Sequence, residues 1–306
     1  MKTNSGYFLI NKPKGMTSND LVQTIKKRFN FDKVGHSGTL DPLASGLMVV
    51  LINQATKASD FFLSSNKEYE FTINLFETTA TLDSEGEIIE SQKPFKITKS
   101  TIEKVVKKYN GYMYQQIPPL YSAIKIDGKK LYEYARQNKE APEVKPREVS
   151  IFSLKLDNYN TETNQISLTA NCSKGTYIRS LALDIAKELN TIGYVARLHR
   201  TKSGKFEIKN STNLNDVRLE NIFTTYQGLI LNEYPIYEYK NTKDIYHGKS
   251  IKINAKEETI FLSNSNNEVL AIYTRVAKGI YKCKRGLWEQ NDTNMTIAQK
   301  AELYGE

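Results

Sequence analysis

The 306-residue sequence has few cysteines and histidines and no long apolar run. Its two cysteines, Cys172 and Cys283, lie far apart and form no CxxC pair. This argues against a disulfide framework or a zinc site and leaves one bridge open. Its three histidines form no HExxH or HxH pattern, and no GxSxG motif is present. The common metalloenzymes and serine hydrolases are therefore excluded.

The sequence also lacks the segments that membrane proteins and nucleotide-binding proteins need. No stretch reaches the roughly eighteen apolar residues of a membrane span, and residues 1–6 lack the apolar core of a secretory signal. We therefore expect a cytoplasmic protein without membrane contact. Gly248-Lys249-Ser250 ends like a phosphate-binding loop, but Lys243 occupies the position of that motif's first glycine. No nucleoside triphosphate site is expected.

Basic residues, by contrast, are abundant. Lysine and arginine total 43 against 34 acidic residues, which gives a net charge of +9. A polyanion is the natural partner of such a chain, although a generally lysine-rich proteome would produce the same excess. Charge alone leaves both interpretations open.

Hydrophobic periodicity predicts an α+β fold. Strand patterns occur in four segments, residues 7–10, 47–52, 67–75 and 166–172. Helical spacing occurs in three segments, residues 18–29, 98–111 and 178–189. Because strands and helices do not alternate strictly, we predict a mixed, mainly antiparallel central sheet flanked by helices. Short strand-like segments follow, so we divide the chain into residues 1–235 and a small β-rich domain at 236–306.

Residues 35–46, Gly-His-Ser-Gly-Thr-Leu-Asp-Pro-Leu-Ala-Ser-Gly, are the most informative segment. Glycine permits positive φ and close approach of another molecule, and Pro42 fixes φ directly after Asp41. Such a turn presents Asp41 at a fixed place, as a catalytic carboxylate requires. The same residues also build ordinary turns. The segment alone does not decide between a structural and a functional role.

A second segment, residues 121–136, interleaves four basic side chains, Lys129 and Lys130 among them, with three tyrosines. Basic side chains neutralise phosphates and aromatic rings stack on unpaired bases, so this composition suits RNA. A hairpin and an amphipathic helix whose tyrosines cover a core would have a similar sequence.

Arg179 falls in the first turn of the third predicted helix, where the positive end of the helix dipole does not favour it. An acid elsewhere must compensate for this placement. Asp41 is our candidate, because an adjacent arginine keeps a carboxylate ionised and able to attack. The alternative is that Arg179 extends into solvent.

Taken in order, these segments resemble the motifs of the TruB family, the bacterial tRNA pseudouridine-55 synthases. The resembling segments are residues 12–18, 35–42, 67–69, 116–123, 129–136 and 172–179. The chain departs from the family pattern where Leu75-Phe76 replaces Leu-Gly and where Ala80 replaces the first aspartate of Thr-Asp-Thr-x-Asp. His199 replaces the first arginine of Leu-Arg-Arg, which we expect to weaken one phosphate contact or make it pH-dependent.

The resemblance implies a fold and a reaction. The fold is that of the pseudouridine synthases, with an RNA-gripping insertion at about 112–147 and a PUA-like C-terminal domain. The reaction isomerises uridine 55 in the T-loop of tRNA, without cofactor, metal or protein partner. The expected partner is the T-loop and stem of tRNA, with the acceptor stem as a further candidate contact for basic residues such as Lys282, Lys284 and Arg285.

The resemblance also implies site residues. The expected catalytic residues are Asp41, Tyr69 and Arg179. Asp41 acts as nucleophile or base toward the sugar or the uracil. Tyr69 stacks on the uracil and assists loss of the C5 proton, and Arg179 holds the charge of Asp41. The expected substrate-binding residues are His36, Asp83, Tyr177, Leu198, Lys129 and Lys130. A stacked base must be flipped out of the RNA before it can react.

Specific tasks follow for the substrate-binding residues. His36 fills the space that the flipped base leaves or packs against the neighbouring nucleotides. Asp83 helps to hold the displaced RNA loop, and Tyr177 helps Arg179 to orient Asp41. Leu198 forms a wall of the pocket. Attack at C1′, addition at C6 and elimination through a glycal all remain open, as do a non-catalytic tRNA-binding protein and a related synthase that acts on another RNA.

Overall fold

The computed structural model describes residues 5–63, 66–122, 124–126, 128–136 and 143–288. Its helices are α1 Ser18–Phe29, α2 Ser59–Leu63, α3 Lys99–Tyr109, α4 Leu131–Arg136, α5 Ile178–Glu188, α6 Thr225–Leu231 and α7 Thr242–Tyr246. The strands before residue 235 are β1 Gly6–Lys12, β2 Val34–His36, β3 Ser45–Ile52, β4 Lys67–Leu75, β5 Glu77–Thr79, β6 Ile88–Ser91, β7 Tyr112–Gln116, β8 Lys125–Ile126, β9 Lys129–Lys130, β10 Arg147–Asn160, β11 Gln165–Cys172, β12 Gly193–Ser203, β13 Phe206–Glu207 and β14 Thr212–Asn213. The later strands are β15 Ile236–Glu238, β16 Ile251–Lys252, β17 Thr259–Ser263, β18 Val269–Ala277 and β19 Ile280–Gly286.

A ten-stranded mixed sheet forms the larger part of the fold. Its main path is β14-β1-β3-β12-β4-β11-β10-β7, with β2 beside β3 and β13 beside β12. The run from β12 to β7 is antiparallel, whereas β3 and β12 pair in parallel at only two residue pairs. The predicted mixed, mainly antiparallel sheet is confirmed.

Apolar patterning accounts for the central strands. β3 lies between β1 and β12 and is buried at seven of its eight positions, as its continuous apolar run predicts. β4 alternates, so that Phe71 and Ile73 pack in one core with α3 and α5. Burying side chains of this size stabilises the fold by about 1.5–3 kcal/mol each. β3 and β4 are therefore rigid supports for the loops at their ends.

A five-stranded sheet in the order β15-β17-β18-β19-β16 forms the C-terminal part. It is the expected PUA-like, β-rich domain, and β15, which pairs in parallel with β17, is a strand that the sequence pattern missed. Phe261 and Tyr234 join a core that also contains Tyr7 and Phe62 of the first part. Because that core spans residue 235, the boundary there stays a prediction.

The described residues bear on two points raised by the sequence, a disulfide bridge and membrane-spanning helices. Cys172 and Cys283 are both free thiols, so the bridge left open by the sequence is not formed. No helix in this described part is both long and apolar enough to span a membrane. Parts of the predicted insertion, residues 123, 127 and 137–142, lie outside the description, as do residues 289–306 of the C-terminal domain.

Candidate active site

The loop that carries Asp41 connects β2 to β3. Gly38 and Gly46 have φ of 116° and 109°, the left-handed region that glycine tolerates. A Cβ at Gly46 would collide with the backbone of Arg200, because β3 and β12 pair at this point. The glycines predicted from sequence therefore meet two separate needs, a backbone conformation and a close strand contact.

Arg179 binds Asp41 at the N-terminal turn of α5. Its Nη2 lies 2.9 Å from Oδ2 of Asp41, whose side chain is 34% exposed, whereas Arg179 itself is 4% exposed. Arg179 also donates hydrogen bonds to the carbonyl oxygens of Thr81 and Tyr121, at 2.8 and 3.0 Å. The expected ion pair is present, and it joins a buried cation to an accessible carboxylate.

Gln116 fixes the start of α5. Its side-chain amide accepts a 2.8 Å hydrogen bond from the backbone N–H of Tyr177 and donates one to the Tyr177 carbonyl oxygen. Ser180 donates from its hydroxyl to the Ile117 carbonyl oxygen at 2.8 Å. Tyr177 is the N-cap residue, and burial raises the pKa of its half-buried phenol. These contacts set the direction in which Arg179 leaves the helix.

Asp83 lies on the inner side of Arg179. It is buried, its Oδ1 accepts hydrogen bonds from the Thr81 hydroxyl and the Glu85 backbone N–H, and its Oδ2 is 3.7 Å from Nε of Arg179. The carboxylate is thus occupied inside the protein. Asp83 thus has an internal role, and its expected contact with the displaced RNA loop stays a prediction.

Arg200 holds the backbone of the Asp41 loop through hydrogen bonds, and we call this set of contacts the Arg200 clamp. It is 1% exposed. Its guanidinium donates to the carbonyl oxygens of Leu47 at 2.7 Å, Gly38 at 3.2 Å and Thr39 at 3.5 Å. Hydrogen bonds from a charged donor contribute about 1.5–3 kcal/mol each. Arg200 was missed as a site residue because the sequence motif around it suggested a phosphate contact.

Residues of the first motif hold the same loop from α1. The Ser18 hydroxyl donates to the Leu40 carbonyl oxygen and accepts from the Leu40 backbone N–H, both at 2.8 Å. The Gly15 N–H donates to the Pro42 carbonyl oxygen at 2.8 Å. The capping box of Thr17 places Ser18 at the first residue of α1. The sequence did not reveal this use of the residue after the cap.

Tyr69 and Leu198 lie on adjacent strands beside the loop. They are 9% and 6% exposed, and Tyr69 pairs with Arg200 across β4 and β12. Burial raises the pKa of the Tyr69 phenol, and the charge of Arg200 opposes this shift only in part. The phenol is neutral at physiological pH, and its roles in stacking and in removal of the C5 proton stay predictions.

The two histidines near the loop have different surroundings. His36 ends β2, and among the described residues its buried Nδ1 has no hydrogen-bond partner. Burial, together with the charge of Arg200, lowers the pKa of His36. His199 lies 2.8 Å from the Ser45 hydroxyl through its Nδ1. The departure at His199 is therefore accommodated within the protein.

The other two departures lie in the loop after β4. Phe76 stands where the family usually has glycine, and its φ of 68° is left-handed. Its ring is nevertheless buried and packs edge-on against Phe95 at 5.1 Å. Ala80 is exposed. The glycine pattern thus reflects a backbone requirement that this chain meets with a strained aromatic residue.

Lys129 lies away from these residues, on the short hairpin of β8 and β9, where it is exposed. The side chain of Lys130 lies outside the described residues. Within the described ranges no three metal-binding side chains cluster. The structure therefore brings together Asp41, Arg179 and Asp83, with Tyr69 and Leu198 next to the Arg200 clamp.

The chain is similar to known proteins along most of its length. Residues 26–178 match TruB family pseudouridylate synthase (N terminal domain). The chain is 51% identical to tRNA pseudouridine synthase B of Mesoplasma florum, over 92% of this chain and 98% of the relative. It is 46% identical to the protein of that name in Mycoplasma capricolum, over 92% and 97% of the two chains.

Solved structures share the fold. The chain superposes on a crystal structure of a Cbf5–Nop10–Gar1 complex with a TM-score of 0.70, at 20% identity and over 94% of this chain and 86% of the other. An archaeal box H/ACA sRNP Nop10–Cbf5 complex gives a TM-score of 0.69 at 19% identity, over 94% and 88%. The sequence relatives cover nearly the whole chain at high identity. The protein therefore belongs to the TruB family of pseudouridylate synthases.

Proposed function

We propose that this protein converts uridine to pseudouridine in tRNA and that Asp41 is the attacking carboxylate. The observation that carries the assignment of Asp41 is its 2.9 Å ion pair with Arg179. This contact holds the carboxylate in one orientation while 34% of the side chain stays exposed, as an attacking group requires. The family membership and the names of the relatives support the reaction itself.

The isomerisation leaves the elemental composition of the nucleotide unchanged. The glycosidic bond between C1′ and N1 breaks, the uracil turns, a bond forms between C1′ and C5, and the C5 hydrogen leaves as a proton while N1 gains one. In attack at C1′, Asp41 displaces N1, and C5 later displaces Asp41. In addition at C6, Asp41 is eliminated again when the C5–C6 double bond re-forms. In the glycal route, Asp41 removes a proton from C2′ as N1 leaves, and the proton returns when C5 bonds to C1′. No oxidant, reductant or energy source is needed for this balance.

In this proposal, several residues of the chain hold Asp41 in position for the reaction. Arg200 and Ser18 hold the backbone of the loop, so that Asp41 does not move when the substrate arrives. Arg179 orients the carboxylate, and Asp83 holds Arg179 from the other side. Preorganisation of this kind avoids the cost of ordering the site during the reaction.

The target nucleotide must leave its stack, at a cost of a few kcal/mol that tRNA binding offsets. Tyr69 then stacks on the uracil and Leu198 closes the pocket beside it. His36, at the end of β2 where the loop begins, fills the vacated space or packs against the neighbouring nucleotides in this proposal. Lys129 and Lys130 supply phosphate contacts from the insertion.

We assign the T-loop position 55 as the target, since the TruB relatives carry the name of tRNA pseudouridine synthase B. The enzyme acts in the cytoplasm on free tRNA, without a protein partner. These finer assignments rest on the resemblance and on the basic insertion.

The test is an incubation with an unmodified tRNA transcript that carries tritium at every uracil C5. Release of one tritium per tRNA, with pseudouridine mapped to position 55, is the expected result. Retention of all tritium would contradict the enzymatic function. Release at another position would contradict the assignment of the T-loop.

A further inference from the structure

We propose that Asp184 and Tyr114 are positioning residues of the active site. Through the side chain of Gln116 they hold the start of α5, the helix that carries Arg179. A line of hydrogen bonds runs from one side of α5 to β7 and returns to the N-cap residue of the same helix. The proposal rests on the proposed function for the importance of Arg179 in catalysis.

Four hydrogen bonds form this line. The Tyr114 hydroxyl donates to Oδ2 of Asp184 at 3.0 Å and accepts from Nε2 of Gln116 at 2.9 Å. The same Nε2 donates to the Tyr177 carbonyl oxygen at 3.1 Å, and Oε1 of Gln116 accepts from the Tyr177 N–H at 2.8 Å. Gln116 is 1% exposed, so its amide depends on these protein partners. The Asp184 carboxylate is thus linked to both backbone polar groups of the N-cap residue.

The spacing of the residues fits this link. Tyr177 and Asp184 are about two helical turns apart, so they lie on one side of α5, roughly 10 Å apart along its axis. Tyr114 and Gln116 alternate with Gln115 in β7 and therefore project from one face of the strand, about 7 Å apart. Two contact points on one side of a helix oppose both its rotation and its sliding along the strand.

The direction of the hydrogen bonds follows from their two ends. The Tyr177 N–H can only donate and its carbonyl oxygen can only accept, so the Gln116 amide must present Oε1 to the first and Nε2 to the second. An ionised carboxylate can only accept, so the Tyr114 hydrogen points to Asp184 and the Tyr114 oxygen receives the remaining Gln116 hydrogen. Asp184 and the helix backbone therefore require the same orientation of the amide.

The charges around Asp184 have identifiable effects. Burial raises the pKa of Asp184, and the hydrogen bond from Tyr114 is the largest effect that opposes this rise, followed by the charge of Lys187. Glu188 acts in the same direction as burial, and its carboxylate lies 2.6 Å from the ammonium group of Lys108. The Tyr114 hydroxyl is therefore the main support of the charged, accepting form of Asp184.

Arg179 depends on this support because it follows Tyr177 by only two positions. Its guanidinium lies 2.9 Å from Asp41 and leaves α5 in the first turn. Within the described chain the Tyr177 side chain makes no capping hydrogen bond, so the first turn lacks the support that a capping side chain usually gives. Gln116 holds the backbone there instead. A misplacement of about 1 Å in a catalytic site can cost about 100-fold in rate.

The test compares Tyr114→Phe with Tyr112→Phe in the full chain. The first variant removes the hydroxyl between Asp184 and Gln116, whereas the second removes an exposed hydroxyl from the ring stacked on Tyr114. In Tyr114→Phe, kcat for pseudouridine formation is expected to fall about 10-fold, with KM for a tRNA transcript within about two-fold of wild type. Hydrogen exchange of the Tyr177 N–H, measured by NMR, should become about 10-fold faster. Tyr112→Phe should match wild type in all three quantities.

A double variant shows whether Tyr114 acts through Arg179. In the Arg179→Lys background, Tyr114→Phe is expected to lower kcat further by less than about two-fold, because the contact that it positions is already lost. A further loss of about 10-fold in that background would overturn the proposal. A wild-type kcat or a wild-type exchange rate in the single variant Tyr114→Phe would overturn it as well.

Two variants test Asp184 itself. Asp184→Asn keeps an oxygen that can accept from Tyr114 and should retain most of the wild-type kcat. Asp184→Leu has a similar size and no acceptor, and its kcat should fall to that of Tyr114→Phe. Equal kcat values for the two Asp184 variants would overturn the role of Asp184.

The exchange measurement separates this proposal from the proposed function. A wild-type protein that forms no pseudouridine, with exchange rates that change as expected in Tyr114→Phe, would overturn the proposed function and leave the link between Tyr114 and the start of α5 standing. Unchanged exchange rates together with an active wild-type enzyme would overturn the link alone.

Discussion

The Arg179 guanidinium lies 2.9 Å from the Asp41 carboxylate, and the two side chains differ sharply in exposure, at 4% and 34%. A buried arginine needs a partner, because an unpaired buried charge costs several kcal/mol. Asp41 supplies that partner while one side of its carboxylate stays accessible. The same contact therefore stabilises the buried arginine and positions the carboxylate that we propose to attack.

Arg179→Lys keeps the positive charge and removes the branched guanidinium. The N–H groups of that guanidinium reach Asp41 and the carbonyl oxygens of Thr81 and Tyr121. We expect kcat to fall by about 100-fold or more, with KM for tRNA within a few-fold of wild type, because lysine cannot reproduce this geometry. Steady-state kinetics with a tRNA transcript measure both constants. Arg197→Lys, at an exposed arginine of β12, is the matched control. A wild-type kcat in Arg179→Lys would refute the positioning role.

Arg200→Met removes the clamp beneath the Asp41 loop. We expect the free energy of unfolding to fall by about 3 kcal/mol or more, because hydrogen bonds from the guanidinium to buried carbonyl oxygens are lost. Urea denaturation measures this loss, and kcat is expected to fall with it. Arg200→Lys should restore part of the stability. A Met variant with unchanged stability and kcat would show that the clamp does not hold the loop.

Phe76 offers a test of backbone strain. At its φ of 68°, a Cβ is unfavourable by about 1–2 kcal/mol. Phe76→Gly should therefore be about 1 kcal/mol more stable than Phe76→Ala, although both lose the packed ring. At Phe71, a buried residue of regular β4, the order should reverse. Thermal or urea unfolding of the four variants decides the matter, and the same order at both positions would contradict the strain.

The free energy of unfolding is expected to depend on pH through Lys67. Burial lowers its pKa from 10.5 to about 7, so above pH 7 the folded chain loses a proton that the unfolded chain keeps. The unfolded state then binds more protons, and the free energy of unfolding should rise with pH between about 7 and 10, by at most about 1.4 kcal/mol per unit. Lys67→Met should remove this rise. Parallel curves for wild type and variant, measured by urea denaturation across that range, would exclude the effect.

The central strands and the first, third and fifth helices were predictable because their signals are local. The alternation of residues 67–75 and the cap at Thr17 follow from nearest neighbours along the chain. The pairing of Arg179 with Asp41 was also predictable, since an arginine in the first turn of a helix requires a distant acid. The strand and helix predictions need only one element and its immediate chemistry, whereas the ion pair joins two distant segments.

What the sequence did not reveal depends on contacts between distant segments. Hydrogen bonds join Ser18 to Leu40, Gln116 to Tyr177 and Arg200 to Gly38. The two residues of each pair are distant in sequence, and only the tertiary fold brings them together. Nothing in the residue types distinguishes these polar groups from exposed ones. β15 was missed for the same reason, because a three-residue parallel strand has no pattern of its own.

The central claim is that Asp41 performs the chemistry, and Asp41→Asn tests it most directly. Asparagine keeps the size of the side chain and removes the negative charge that attacks. Single-turnover release of tritium from uracil C5 of a tRNA transcript should fall below detection, while the Kd for that transcript stays within a few-fold of wild type. Tritium release at the wild-type rate in Asp41→Asn would remove Asp41 from the mechanism.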